Sequence, residues 1–151
     1  MNLKDPNRYL VTSSSLELQA SKVLWDTNAF GYTVASIDKI NIYHEDCVNR
    51  EFGAFMDWID QEKIRLVSCR LPHNDISTIM FLESHSFKFI EMVLHPTIHI
   101  KDCRLSNFEG FIVEPVKENE LNIIISMANK AFGFERYHID PRVNSHAANL
   151  R

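Results

Sequence analysis

Glycine is scarce in this sequence, and its scarcity excludes two common nucleotide-binding motifs. The 151-residue chain has four glycines, and they stand far apart: Gly31, Gly53, Gly110 and Gly133. A dinucleotide-binding fingerprint and a phosphate-binding P-loop both need closely spaced glycines, because the backbone must approach a phosphate. Neither motif can be written anywhere in the chain.

Long apolar runs and an excess of basic charge are missing as well. No stretch approaches the roughly 18 apolar residues that a membrane-spanning helix needs, so we expect no membrane span. Acidic residues outnumber basic ones by 20 to 16, and the formal net charge is −4. Nucleic-acid-binding proteins present a basic face. We therefore expect no nucleic-acid partner.

Cysteine is too sparse for a disulfide framework. Cys47, Cys69 and Cys103 are odd in number and widely spaced, a pattern that fits reduced thiols. The first residues are polar and include Asp5, so they do not resemble a signal peptide. These features together predict a cytoplasmic protein.

Apolar periodicity predicts an α/β (α+β) protein with a mixed sheet and flanking helices. Alternating or β-branched residues indicate strands, and apolar residues three and four apart indicate helices. The predicted strands are 16–20, 32–42, 64–69, 87–100 and 111–116. The predicted helices are 45–62, one capped by Asn74, one from about 118 to 132, and one opening at Ser145. Segment 24–32 reads as an aromatic-rich loop, and the alternation of elements implies at least one right-handed crossover.

Metal binding and cysteine catalysis are both disfavoured by their surroundings. His95, His99 and Cys103 recur every four residues, which on a helix would suggest metal ligands. On the predicted strand, four residues span about 13 Å, too far for one metal ion to reach both histidines. Cys69 lies in an apolar strand, where a thiol is inert, whereas Cys47 lies at a helix start that can lower its pKa. We predict neither a metal site nor a catalytic residue in this chain.

Charged and aromatic groups are densest in the loop between Phe132 and Arg142. Its candidate residues are Arg136, Tyr137, His138, Asp140 and Arg142. One interpretation is a solvated turn in which Asp140 starts the next helix. The other is an acceptor-binding loop whose cations are placed for an anion such as phosphate. The loop alone favours neither.

A second cluster of aromatic and acidic groups lies in segment 24–32. It consists of Trp25, Asp26, Phe30 and Tyr32. These side chains could line a pocket. The simpler interpretation is that the aromatics cover the end of the sheet.

Three segments together resemble the GNAT-type N-acetyltransferases. Leu24–Gly31 is similar to a tryptophan-aspartate-x-x-x-phenylalanine-glycine stretch near the start of some members. Leu82–Phe87 resembles their leucine-x-x-x-glycine-phenylalanine helix end. Phe134–Arg142 is similar to the stretch after the first helix of their catalytic domain. Within the family the chain resembles the TDP-fucosamine acetyltransferase group, which acetylates an amino sugar on a nucleotide, and the resemblance runs from about Leu16 onward.

This resemblance implies a GNAT-like fold, the acyl-CoA N-acyltransferase fold. It divides the chain into an N-terminal half domain, 1–105, and the start of a catalytic domain, 106–151. A complete form would transfer acetyl from acetyl-CoA, as co-substrate, to a small-molecule amino-sugar acceptor. By the same resemblance, the acceptor-binding residues are Arg136, Tyr137, His138 and Arg142. The candidate pocket-lining residues, taken from the cluster in segment 24–32, are Trp25, Asp26 and Phe30.

The sequence departs from the family at two places. Ser86 stands where the family has a glycine at a helix end, a position that favours a left-handed backbone. The family holds the acetyl-CoA diphosphate on an Arg/Gln-x-x-Gly-x-Gly/Ala loop that opens a helix. Only Arg50–Phe55 approaches that loop, with Phe55 in its last position, and it lies inside a predicted helix whose N–H groups are already bonded.

The missing loop leads to three expectations. We expect that this chain alone does not bind acetyl-CoA measurably and is inactive, and that it represents either a truncated acetyltransferase or a degenerate relative that binds an acceptor without acetylating it. The alternative is a small non-catalytic α/β binding or interaction module. The predicted strand at Phe111–Val116 would have an open edge, which predicts a homodimer, with exchange of a strand or helix between protomers.

Overall fold

The computed structural model describes residues 5–97, 99, 114–131 and 135–150, apart from the side chains of Glu45 and Asp46. The chain divides into two compact units. The first comprises Met1–Phe89 with Arg142–Arg151, and the second comprises Ile90–Pro141. Within these described ranges, no helix is long and apolar enough to cross a membrane.

The first unit contains both strands and helices, while the elements described in the second are helical. The strands are β1 (Arg8–Thr12), β2 (Leu16–Lys22), β3 (Val34–Ile42) and β4 (Leu66–Cys69). The helices of the first unit are α1 (Leu24–Phe30), α2 (Glu45–Gln61), α3 (Ile76–Ser84) and α6 (Ser145–Asn149). The second unit has a 3-10 turn (Glu118–Glu120), α4 (Leu121–Ala131) and α5 (Arg136–Ile139).

The four strands form one mixed sheet in the order β1-β2-β3-β4. β1 pairs antiparallel with β2, and β2 pairs antiparallel with β3. β3 and β4 are parallel, as they must be when α2 connects them as a crossover. The prediction of an α+β protein with a mixed sheet and flanking helices is therefore confirmed.

The core lies on one face of this sheet, beneath α2 and α3. Alternate residues of β2 face inward, and Leu16 and Leu18 are completely buried. Phe52 and Phe55 of α2 are also fully buried. The Phe52 ring contacts Phe55 at 5.4 Å between centroids and Phe81 of α3 at 5.0 Å, edge to face. Edge-to-face packing suits the charge distribution of aromatic rings, so Phe52 joins the two helices over the sheet.

Three helix ends in the first unit use a left-handed residue, and the one after α2 is Lys63, with φ of 53°. Gly31 ends α1 with φ of 70°, and its N–H bonds to the carbonyl of Thr27. Ser86, after α3, has φ of 71°. Ser86 therefore adopts the left-handed conformation that favours glycine, at a steric cost that glycine would avoid.

The prediction of a loop at 24–32 was wrong, because residues 24–30 form α1. A helix of two turns is too short to show a clear apolar period. The first strand, β1, was missed. Asp75, rather than Asn74, caps α3 by accepting a hydrogen bond from the Thr78 N–H at 3.4 Å.

The predicted strand 87–100 was wrong over its described part, since residues 87–97 and 99 form no strand. A strand-forming sequence needs a sheet edge to pair with. Ile98 and Ile100 of this segment lie outside the described residues. Of the next predicted strand, 111–116, the first three residues also lie outside the described residues, and Glu114–Val116 form no strand. The helix after residue 118 is confirmed as α4.

The predicted loop between Phe132 and Arg142 was wrong at Arg136–Ile139, which form the single-turn helix α5, and the helix after it agrees with the prediction except for its cap. The helix predicted from Ser145 is α6. Asp140, predicted to start it, is instead the residue after α5. The cap is Asn144, whose side chain accepts from the His146 N–H at 2.8 Å. Asn144 is the residue next to the first helical position, where a cap must lie.

Candidate functional site

The pairing between the two parallel strands stops where β4 ends, while β3 runs on. The last paired residues are Ile37 of β3 and Cys69 of β4. β3 continues beyond this point to Ile42, still paired with β2. Asp38–Ile42 therefore has no strand partner on its β4 side within the described chain, and we call this stretch the strand opening. At about 3.3 Å per residue it is roughly 16 Å of backbone edge.

A β-bulge lies in β3 directly after its last residue paired with β4. Gln19 pairs with Lys39, but the next residue, Ala20, pairs with Ile37, so Asp38 is the extra residue. A bulge bends its strand and increases the local twist. The bulge at Asp38 follows the last β3–β4 pair, and β4 itself ends at Cys69, so β3 continues beyond it without a parallel partner.

A cluster around Glu17 holds the far end of β3 on β2. Its carboxylate accepts hydrogen bonds from Lys39 Nζ at 2.7 Å, Asn41 Nδ2 at 3.0 Å and Tyr43 Oη at 3.1 Å. The hydrogen bond from Lys39, followed by that from Asn41, lowers the pKa of Glu17. Because these polar side chains are hydrogen-bonded to Glu17 of the neighbouring strand, the groups of the strand opening that can bind a ligand are mainly those of the backbone.

The start of α2 follows the end of β3 directly. Helix starts at the carboxyl ends of parallel strands are common anion sites, because several N–H groups point outward. Here His44 precedes the helix, and Glu45 and Asp46 are its first two residues. The sequence of this helix start contains no glycine and therefore lacks the pattern of a diphosphate-binding loop.

The sequence that approaches the family's diphosphate loop lies well inside α2. Arg50 and Gly53 are both helical residues of Glu45–Gln61. Their N–H groups bond within the helix, and a Cβ added to Gly53 would meet nothing within 4 Å. Gly53 therefore provides no close backbone approach to a ligand.

A second polar cluster, centred on Glu51, ties the β1–β2 turn to α2. Its Oε2 accepts from Ser13 Oγ at 2.6 Å and from Ser15 Oγ at 2.7 Å. The bond from Ser13, followed by that from Ser15, lowers the pKa of Glu51. Ser15 is buried, and a buried hydroxyl needs such a partner. We interpret this cluster as structural.

The two described cysteines differ in surroundings. Cys69 is half-buried at the end of β4, whereas Cys47 is exposed in α2. Burial, with a smaller contribution from Asp75, raises the pKa of Cys69 to about 11. Its thiol therefore stays protonated near neutral pH and is a poor nucleophile. Cys103 lies outside the described residues.

Of the predicted acceptor-binding residues, the structure brings Arg136 and Tyr137 together on α5. The Arg136 guanidinium lies 4.6 Å from the centre of the Tyr137 ring, and its Nη2 donates to Tyr137 Oη at 3.0 Å. Tyr137 is buried. His138, also on α5, is half-buried, and Arg142 is an exposed residue of the first unit. Phe132 and Phe134 of the predicted loop lie outside the described residues.

The predicted pocket residues separate on α1. Trp25 is 69% exposed, whereas Asp26 and Phe30 are buried. Phe30 stacks on Tyr32 with centroids 5.7 Å apart, and the Arg65 guanidinium lies 4.7 Å from the centre of the Tyr32 ring. Phe30 is thus part of an aromatic stack beside β3.

Sequence reasoning missed the strand opening, although one signal of it is present. Ile37 and Ile40 are three residues apart in a strand, yet both are buried. Residues of one face are normally two apart, so a spacing of three signals a bulge. In the described ranges, no group of three or more His, Cys, Asp or Glu could hold a metal ion. His95 and His99 are exposed and lie in no strand or helix.

The chain was compared with family models, curated proteins and solved structures. No family model, curated protein or solved structure matches it.

Proposed function

We propose that the chain is a GNAT-type, N-acetyltransferase-like protein in which the strand opening takes the acyl-carrying arm of acetyl-CoA. The observation that carries this proposal is the end of β3–β4 pairing at Ile37 and Cys69. Ligands of sheets with parallel strands bind at the carboxyl ends of those strands. The opening lies at that end of β3.

The chemistry of the opening suits an extended chain that contains amides. A strand edge binds such a chain through its backbone N–H and C=O groups, as it would bind another strand. The pantetheine arm that carries the acetyl thioester of acetyl-CoA is an extended chain with amide groups. Asp38–Ile42 provides the edge, and the Glu17 cluster holds that edge in place.

The diphosphate of acetyl-CoA has no comparable site in the described residues. The start of α2 contains no glycine, and Gly53 lies inside the helix. Charge-assisted contacts to phosphate contribute much of the affinity for such ligands. We therefore propose that the chain alone neither binds acetyl-CoA with micromolar affinity nor catalyses acetyl transfer.

For the acceptor, we propose the amino group of a nucleotide-linked amino sugar, with Arg136 and His138 near its phosphate or sugar. The support is the stacking of Arg136 on Tyr137, since a guanidinium held over a ring is oriented before the ligand arrives. A guanidinium has five N–H donors. The hydrogen bond to Tyr137 Oη uses only one nitrogen.

We propose a cytoplasmic location on the ground of the cysteines. Cys47 and Cys69 are both thiols. Free thiols persist in reducing compartments.

The experiment compares two ligands that share the arm but differ in the diphosphate. Amide resonances of the ¹⁵N-labelled chain are followed during titration with S-acetylpantetheine and, separately, with acetyl-CoA. We expect both ligands to shift the amides of Asp38–Ile42 at millimolar concentration and to leave those of β1 unchanged. We expect their affinities to agree within about threefold, because no diphosphate contact adds to the arm.

Two results would refute the proposal. Unchanged amides at Asp38–Ile42 would show that the opening holds no acyl arm. Acetyl-CoA binding more than about tenfold tighter than S-acetylpantetheine, a difference of about 1.4 kcal/mol, would show that a diphosphate site exists.

The second candidate function is a non-catalytic interaction module. It is favoured by α4, whose large apolar residues are all exposed. Exposed apolar surface of this extent marks interaction sites. The titration separates the two candidates, since an interaction module leaves the amides of the opening unchanged with both ligands.

A further inference from the structure

α4 carries an apolar surface that is too wide for a single packing layer. At 100° per residue, the large apolar side chains of α4 cover roughly 200° of the helix circumference. One edge of this apolar surface is formed by Ile123 and Met127, and the other by Leu121 and Ile125. A helix that packs on one layer needs an apolar stripe of about 100°. The polar side is narrow and consists of Asn122, Ser126, Asn129 and Lys130.

This surface is exposed to solvent. Its five large residues have exposed fractions between 44% and 62%: Leu121, Ile123, Ile124, Ile125 and Met127. Together they expose on the order of 500 Å², the size of the largest apolar patch on a typical monomer. Among the described residues of the second unit, only Tyr137 is a buried hydrophobic residue. The unit therefore leaves most of its described apolar surface in water.

We propose that a second copy of this chain covers α4, with the two α4 helices packed antiparallel about a two-fold axis. The inference does not depend on the acetyltransferase proposal. A standard interface buries about 800 Å² per partner, and the apolar surface of α4 supplies more than half of that area. A two-fold contact presents the same patch on both copies, so one apolar helix face is sufficient for both sides.

Charge at the two ends of α4 selects the antiparallel orientation. The residues before the helix include Glu114, Glu118 and Glu120 against one lysine, Lys117. The only charged residue within α4 is Lys130, in its last turn. An antiparallel pair places Lys130 of one copy beside Glu118 of the other, whereas a parallel pair places acids beside acids. Helix dipoles also favour the antiparallel arrangement.

The first experiment measures molar mass by sedimentation and light scattering over a concentration series. We expect the unaltered chain to dimerise with increasing concentration. Ile124→Asp places a charge in the centre of the apolar surface and should weaken the dimer by at least about 30-fold. Ser126→Asp is the matched control, because it adds the same charge to the polar side of the same turn and should leave the dimer unchanged. Far-UV circular dichroism checks that both variants are folded.

The second experiment tests the orientation by exchanging charges. Lys130→Glu alone and Glu118→Lys alone should each weaken the dimer by about 2- to 5-fold, as expected for an exposed ion pair. The double variant Lys130→Glu/Glu118→Lys should return to the unaltered affinity.

Three results would overturn the proposal. If the chain stays monomeric through the concentration series, a second copy does not cover α4. Equal effects of Ile124→Asp and Ser126→Asp would place the interface away from the apolar surface. A double charge variant weaker than both single variants would exclude the antiparallel pair.

Discussion

Replacing two glycines by alanine should have opposite effects on stability, and Gly53 is the more informative of the two. Gly53 lies in the interior of α2, and an added Cβ would meet nothing within 4 Å. Alanine in a helix interior is favoured over glycine by about 1 kcal/mol. We therefore expect Gly53→Ala to raise the free energy of unfolding by about 0.5–1 kcal/mol. This result would agree with a purely helical role for the segment that approaches the family's diphosphate loop.

Gly31 provides the matched comparison, because its surroundings are equally open but its backbone is left-handed. No heavy atom lies within 4 Å of an added Cβ, and φ is 70°. A left-handed conformation costs an ordinary residue about 1–2 kcal/mol. Gly31→Ala should lower the free energy of unfolding by about that amount. The two variants should then differ by about 1.5–3 kcal/mol, which corresponds to roughly 3–12 °C in melting temperature for a domain of this size.

Urea and thermal denaturation, followed by circular dichroism at 222 nm, measure both changes. The reasoning is refuted if Gly53→Ala destabilises the protein, because the position would then need a backbone that only glycine adopts. It is also refuted if Gly31→Ala is neutral, since the left-handed end of α1 would then be unimportant to the folded state.

Two further predictions follow from shifted pKa values. Cys47 is exposed and should react with a thiol reagent at pH 8. Cys69, with its pKa of about 11, has roughly one thiolate in a thousand at that pH and should react only after unfolding. Peptide mass mapping measures both rates, and equal rates in the folded protein would contradict this prediction. Because the pKa of Glu51 is lowered, its contribution to stability is present above the unfolded pKa and is lost as pH falls through the folded pKa. Glu51→Gln should therefore destabilise the protein at pH 7 and differ little from the unaltered chain at acid pH below that folded value. Urea denaturation across pH measures this difference, and a gap that does not close in acid would exclude the hydrogen bonds from Ser13 and Ser15 as its cause.

Elements with a long apolar period were predictable from the sequence. In α2, Val48, Phe52 and Phe55 recur at spacings of three and four and are all buried, so periodicity alone located the helix. β3 was equally clear from its β-branched residues. α1 was not predictable because its two turns include one exposed aromatic, Trp25, and one buried acid, Asp26, which reverses the usual pattern.

The candidate site was less predictable than the fold. The strand opening depends on where two strands stop pairing, and Cys69 and Ile37 are far apart in sequence. Pairing of this kind is set by the register of the whole sheet. The stack of Arg136 on Tyr137 was closer to prediction, because the residues are neighbours, but their geometry on α5 required the structure. No sequence pattern distinguishes a loop that binds an anion from one that packs its arginine on a ring.

The first unit is assembled from two separate parts of the chain, and this order affects synthesis. α1 contacts α6, yet the whole second unit lies between them in sequence. During translation, the sheet and its three nearer helices can fold as soon as residue 89 has left the ribosome. The contact between α1 and α6 can form only after α6 has been synthesised. Forming it closes a long loop of chain between the two helices, which costs chain entropy. A nascent chain should therefore pass through a state with a formed sheet and an uncovered α1, a state that chaperones and proteases can recognise.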